Sequence, residues 1–208
     1  MDERAALRLL AERLPAAGDD AAIVDDLAIT TDMLHERTDF PDGTTPYTAG
    51  WRAVGASLSD VAAMGARAQG AVAAYGAPAF DGEDLLAFVD GATEVCAAVG
   101  AEYVGGDLDG HDEFTVATTA FGRVDDPVRR SDAHPDEAVC VTGALGRTAA
   151  ALRRFEAGDT ARGNDLFRFT PRVAAGVALA DDATAMRDIS DGLARSLHPP
   201  AEASGGGV

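Results

Sequence analysis

Between residues 45 and 65, apolar positions fall at helical spacing. Tyr47, Trp51, Val54, Leu58 and Val61 repeat at 4-3-4-3, which lays them along one stripe of an α-helix. Thr45 followed by Pro46 supplies an N-cap and a first helical residue, and Gly65 a stop. A second stripe runs through Leu85, Phe88, Ala92, Val95 and Val99, with Asp81 as cap and Gly100 as C-terminal stop. Runs rich in Val, Ile and Thr at 21–24, 27–31, 71–75 and 113–121 read as strands. A short one at 103–104 leads into Gly105-Gly106-Asp107. A helix over about 2–14, with Leu7, Leu10 and Leu14 on one face, precedes them, and 35–44 is a polar loop.

Residues 123–135 are charged and carry Pro127 and Pro135, so a domain boundary is predicted there, dividing the chain into 1–126 and 127–208. Beyond it the pattern predicts a strand at 138–141, a helix over 148–155, a polar loop over 156–164, a helix from Pro171 to about 180, a strand at 186–189 and a helix over 192–197. Gly143-x-x-Gly146 is either a tight strand-to-helix turn or a phosphate cradle. About 80 residues follow the boundary, few for a self-sufficient domain. The whole order predicts an α/β (α+β) fold, a mixed sheet covered by helices.

Composition narrows the chemistry. The chain has 208 residues, 47% hydrophobic and 6% aromatic, so Ala, Val and Leu must fill the core. The formal charge is −18; all 17 basic residues are Arg, no Lys occurs, and Asn164 is the only Asn. An acidic surface repels nucleic acid and anionic membrane, so neither is expected as a partner. Acid enrichment without Lys fits a salt-accumulating halophile, whose medium screens the repulsion; a merely acidic, GC-rich sequence is the alternative. The missing Lys excludes a Walker A loop, a protein-kinase fold and a pyridoxal Schiff base. Cys96 and Cys140 lie in apolar stretches and are expected to be buried, reduced thiols. No apolar run approaches the ~20 residues of a membrane span, and the N-terminus lacks the apolar core of a signal peptide. A cytoplasmic protein is expected.

Most of the 35 acidic residues are solvated surface charge. A few Asp sit instead among small and apolar neighbours, where an unpaired carboxylate is costly unless a cation or donors meet it. They occur in Gly18-Asp19-Asp20-Ala21-Ala22-Ile23, Ile29-Thr30-Thr31-Asp32-Met33, Leu58-Ser59-Asp60-Val61, Val104-Gly105-Gly106-Asp107-Leu108 and Asp188-Ile189-Ser190-Asp191-Gly192. Asp60 is the sharpest, in the last turns of its helix where the dipole disfavours a carboxylate. Either a local hydrogen bond or a divalent cation answers that penalty. Hard oxygen ligands suit Mg²⁺. Zinc is not expected, since His35, His111, His134 and His198 are not paired at ligand spacing. Asp107-x-Asp109-Gly-x-Asp112 has its Gly too early for a calcium loop.

In this order, the motifs resemble thiamine-phosphate kinase of the PurM-like (aminoimidazole ribonucleotide synthetase) superfamily. The matching words are Asp-Asp-Ala-Ala-Ile at 19–23, Thr-Thr-Asp at 30–32, Leu-Ser-Asp-Val-Ala-Ala-Met-Gly at 58–65, Gly-Gly-Asp at 105–107, Arg-Ser at 130–131, Val-Thr-Gly at 141–143 and Ile-Ser-Asp-Gly-Leu at 189–193. The resemblance spans essentially the whole chain; Ser-Asp-x-Ala-Ala-Met-Gly and Asp-x-Ser-Asp-Gly-Leu are specific, the glycine pairs are not. It implies a PurM-like N-terminal domain for ATP, Mg²⁺ and dimerisation, then an incomplete PurM-like C-terminal domain. It also implies transfer from ATP to thiamine phosphate, giving thiamine diphosphate and ADP, with several Mg²⁺ ions and a homodimer. Asp20, Thr30, Thr31, Asp32, Asp60, Asp107, Asp188 and Asp191 become the implied Mg²⁺ ligands. Gly106, Asp107, Arg130 and Ser190 become the implied ATP contacts, with Arg130 stabilising charge.

The acceptor is already an ionised phosphate, so no strong general base is required; the obstacle is bringing two anions together. Two departures stand out. Where the family has His-Phe in its substrate loop, this chain has Asp39-Phe40, and Asp39 is a candidate thiamine contact. Ser204-Gly-Gly-Gly-Val208 resembles a family stretch that normally continues into further C-terminal sequence; a flexible tail is the alternative. Two other readings remain: another PurM-like ATP enzyme, of hydrogenase-maturation or purine-synthesis type, and an inactive remnant that binds Mg-ATP.

Overall fold

The computed structural model describes residues 6, 9–10, 12–14, 17–190 and 192–205. Most of the expected helix over 2–14, with Leu7, lies outside them. So do Asp191 and residues 206–208.

Strand β1 (Ala22–Val24) turns at Asp25, φ 54°, into β2 (Leu27–His35). Asp tolerates this left-handed conformation better than most residues. β2 pairs antiparallel with β5 (Thr115–Arg123), and β5 with β3 (Arg67–Ala77). β3 lies parallel to β4 (Glu102–Gly110), so the sheet runs β1-β2-β5-β3-β4. A parallel pair needs a crossover, and α3 (Gly82–Ala98) supplies it.

Past the short α1 (Glu36–Asp39) comes the long α2 (Pro46–Ala63). It begins as the Thr45-Pro46 signal predicts: the Thr45 side chain accepts from Thr48 N at 3.2 Å. Asp81 likewise caps α3, accepting from Glu83 N (2.8 Å) and Asp84 N (3.1 Å). Of the predicted stripe on α2, Val54, Leu58 and Val61 are fully buried, while Tyr47 and Trp51 are half-buried. Here α2 packs on β2, β3 and β5 and against α3. Val54, Leu58, Val61, Phe88, Val95 and Val116 form the centre of the main core. Burying side chains of this size contributes about 1.5–3 kcal/mol each.

The later residues form α4 (Arg147–Glu156), α5 (Thr160–Phe167), α6 (Val173–Leu179) and α7 (Leu193–Ala203). Ala151, Phe155 and Phe167 make a small second core, with Phe40 of the first half packed on it. Asn164 stitches the two halves together. Its Nδ2 donates to Gly43 O (2.8 Å), and its Oδ1 accepts from Thr45 N (2.9 Å). Trp51 Nε1 donates to Phe169 O, and the Arg52 guanidinium lies 3.9 Å from the Phe167 ring centroid. Among the described residues, no helix is long and apolar enough to cross a membrane.

Five expectations are corrected. Residues 138–141 and 186–189 form no strand. A strand needs a neighbouring ladder to satisfy its backbone, and no strand of this sheet pairs with either segment. Cys140, expected buried, is therefore exposed, while Cys96 is buried. The polar stretch 156–164 contains the start of α5: Asp159 caps it, accepting from Arg162 N at 3.3 Å. Gly105-Gly106-Asp107 lies inside β4 rather than after it. There a Cβ on residue 106 would stand 1.8 Å from Ala73 O, so the close strand approach itself requires Gly106.

Candidate metal centre

Strand alternation sorts β2 into two faces. Thr30 and Asp32 face α2. Thr30 Oγ1 donates to Asp60 Oδ2 at 2.9 Å. Ser57 Oγ lies 3.4 Å from Asp32 Oδ2 and 2.7 Å from the buried Thr118 Oγ1, which donates to Ala53 O at 3.1 Å. Thr31 is on the other face, hydrogen-bonded to Thr119.

Asp20 arrives from the loop before β1, and Asp188 from the stretch before α7. Ligating oxygens of Asp20, Asp60 and Asp188 all lie within 4.8 Å of one another. Three carboxylates this close repel each other strongly when ionised. Burial pushes the Asp60 carboxyl up to about 9, and the charges of Asp32, Asp188 and Asp20 add to the rise; the Thr30 hydrogen bond opposes it. Burial likewise pushes Asp20 up to about 7, against the lowering effect of Arg130. Asp32 is raised by burial, opposed by Ser57.

Arg130 holds the entry loop. Its backbone N donates to Asp19 Oδ2 (3.2 Å), its Nε to Asp19 Oδ1 (3.1 Å) and its Nη2 to Asp20 Oδ1 (2.8 Å). The Asp20 side chain is only 4% exposed, yet among the described residues its Oδ2 has no hydrogen-bond partner. A buried, unpartnered carboxylate oxygen beside two further carboxylates fits a divalent cation. The all-oxygen donor set, with Thr30 and Asp32 behind it, suits Mg²⁺.

The other predicted site residues lie elsewhere. Asp107 is exposed on the edge strand β4, opposite Ala74. With Gly106 it lines a pocket of about 450 Å³ between β4 and α3 that includes none of the three clustered carboxylates. Ser190 is exposed beside the cluster's Asp188 in sequence. Asp39 turns back on its own loop, accepting from His35 N at 2.8 Å and Thr38 Oγ1 at 2.7 Å through Oδ2. Sequence reasoning missed Asp19, although Gly18-Asp19-Asp20 displayed it, and Arg187, a charge inside an apparently apolar run.

Residues 18–124 match the family model described as AIR synthase related protein, N-terminal domain. A thiamine-monophosphate kinase of Halobacterium salinarum is 67% identical over all of this chain, which spans 72% of that relative. Its source agrees with the salt-adapted reading of the composition. The solved structure of AaThiL complexed with AMPPCP and TMP superposes with a TM-score of 0.91 at 27% identity, over 98% of this chain and 70% of that one. A hydrogenase maturation protein HypE, at 23% identity and TM-score 0.69 over 89% of this chain and 62% of that one, shows the shared fold alone. The chain belongs to the thiamine-monophosphate kinase family.

Proposed function

We propose that the chain transfers a phosphoryl group from ATP to thiamine phosphate, giving thiamine diphosphate and ADP. The observation that carries this reading is the convergence of Asp20, Asp60 and Asp188 within 4.8 Å, with Asp20 Oδ2 unpartnered, in a chain of this family. The AMPPCP and TMP bound by AaThiL support the two ligands.

Mg²⁺ bound to these oxygens would neutralise phosphate charge and align an in-line displacement. Asp20, Asp60 and Asp188 are the proposed ligands, with Asp191 next along the chain. Thr30 orients Asp60 through its hydrogen bond, and Ser57 orients Asp32. Arg130 fixes Asp20 Oδ1, leaving Oδ2 for the centre. Gly106, Asp107 and Ser190 are proposed nucleotide contacts. Residues 127–208 are read as the start of a second PurM-like domain.

We infer a homodimer through the sheet face turned from the helices. Cross-strand register places Ile29, Met33, Val72 and Phe121 there, and Met33 is 60% exposed. Apolar surface of this kind marks an interface. Sedimentation as a monomer at every concentration in molar KCl overturns it.

Activity is tested on the purified chain in molar KCl with Mg-ATP and thiamine phosphate. Thiamine diphosphate is the expected product. Its absence, both from this chain and from a version extended to its relatives' length, sinks the proposal.

A further inference from the structure

Three buried side-chain atoms lack a hydrogen-bond partner among the described residues: Asp20 Oδ2, Arg187 Nε and Arg187 Nη1. They belong to two oppositely charged groups near enough to influence one another. Pairing the two would be the simple remedy for both. Arg130 shows that remedy in the same loop, where it binds Asp19 and Asp20 Oδ1. Arg187 Nε and Nη1 make no such bond among the described residues, so these two donors are left for something else.

The needs of the two groups are complementary. Two buried guanidinium N–H donors require acceptor oxygens, and a phosphoryl group presents several. Asp20 Oδ2 requires a cation or a donor. A cation alone would leave Arg187 unmet and repel it. A phosphate alone would be repelled by Asp20, Asp60 and Asp188. A phosphoryl group carrying a divalent cation satisfies every orphaned atom at once.

We propose that Arg187 is a phosphoryl-binding residue of this centre, its Nε and Nη1 donating to non-bridging oxygens of a cation-bound nucleotide phosphate. This rests on the kinase reading and adds a cationic contact beside the carboxylates. The step asks nothing redox or covalent of Arg187. It binds and orients the group being transferred.

Calorimetric titration of the full chain in molar KCl tests it, with Mg-AMPPCP and with Mg²⁺ alone. Charge-assisted bonds of this kind correspond to roughly ten- to hundredfold in affinity. Arg187→Met is expected to weaken Mg-AMPPCP at least tenfold, while Mg²⁺ alone binds as tightly as before or more tightly. Arg187→Lys, which keeps the charge and loses the planar guanidinium donors, is expected to fall between Met and wild type. Wild-type affinity for Mg-AMPPCP in either variant overturns the proposal. So does an equal loss of Mg²⁺ alone, which would make Arg187 a structural counter-charge. If Arg187→Met fails to fold, the Lys variant decides. Wild-type chain that binds Mg-AMPPCP but forms no thiamine diphosphate sinks the kinase reading and leaves this inference standing.

Discussion

Residues 21–124 and 125–205 are built on different terms. The first stretch carries its own core: one five-stranded sheet and two long helices, with Leu58, Val61 and Val95 fully buried. The second has short helices and borrows its support. Val173 and Val177 pack into the first stretch's core, and Phe40 of the first stretch closes the small cluster around Phe155. The centre draws on both, with Asp60 on the rigid helix α2 and Asp188 in a segment without regular structure. The carboxylates therefore meet only when the second stretch is docked.

The largest expected effect comes from Asp60→Asn. Removing a group on which the centre depends lowers kcat/KM by roughly two to three orders of magnitude. The same change should raise the melting temperature of metal-free protein, because burial first, and then the charges of Asp32, Asp188 and Asp20, force Asp60 to hold a proton that the unfolded chain releases, a cost Asn does not bear. The pH profile sharpens this. Burial pushes Asp60 up to about 9 and Asp20 up to about 7, whereas an ordinary Asp carboxyl titrates near 3.8. Across that window the folded chain binds more protons than the unfolded one. Stability present below the unfolded value is lost as pH rises through about 7 and then about 9. Thermal melts in chelator should fall across this range, and less steeply for Asp60→Asn. A wild-type melting temperature that rises with pH breaks the account.

Asn164→Ala tests the docking itself. The side chain is 7% exposed and makes bonds to Gly43 O, Thr160 O and Thr45 N. Losing them, and leaving Thr45 N unmet, should cost about 2–3 kcal/mol. Limited proteolysis should then cut within 125–205 first while the sheet survives. Uniform loss of both regions would show that the two stretches form one cooperative unit.

The same contrast governs what the sequence makes legible. α2 and α3 are readable because long apolar stripes, caps and stops agree with one another, and both helices bury that stripe. β2 and β4 run further than expected because pairing with β5 and β3 carries Asp32 and Gly106-Asp107, residues of low strand propensity. α5 is obscured by Gly163 and Asn164, poor helix formers whose place is secured by tertiary bonds. At 138–141 the apolar run is real but finds no ladder. In the centre, Asp20, Asp60 and Asp188 stand out as carboxylates in apolar company. The faces that separate Thr31 from Thr30, and the empty donors of Arg187, follow from three-dimensional register and burial, which one-dimensional spacing does not carry.

The smallest expected effect lies in the stretch where sequence and structure part. Val139 is 71% exposed and Cys140 is exposed, whereas Cys96 has no exposure and burial pushes its thiol up to about 12. Val139→Ser should therefore change stability by no more than ~0.5 kcal/mol, the usual span for a surface site. A strand packed in a core would lose several times that. A thiol reagent separates the same two environments without any substitution. In native protein at pH 8, one equivalent should react quickly at Cys140. The second, at Cys96, should react only at the rate of unfolding, because its thiolate is scarce and out of reach. Two slow thiols, together with a Val139→Ser loss above 1 kcal/mol by this measure, would mean that 138–141 packs as the strand its apolar run suggests. In that event the contrast between a self-supporting first stretch and a dependent second one would have to be redrawn.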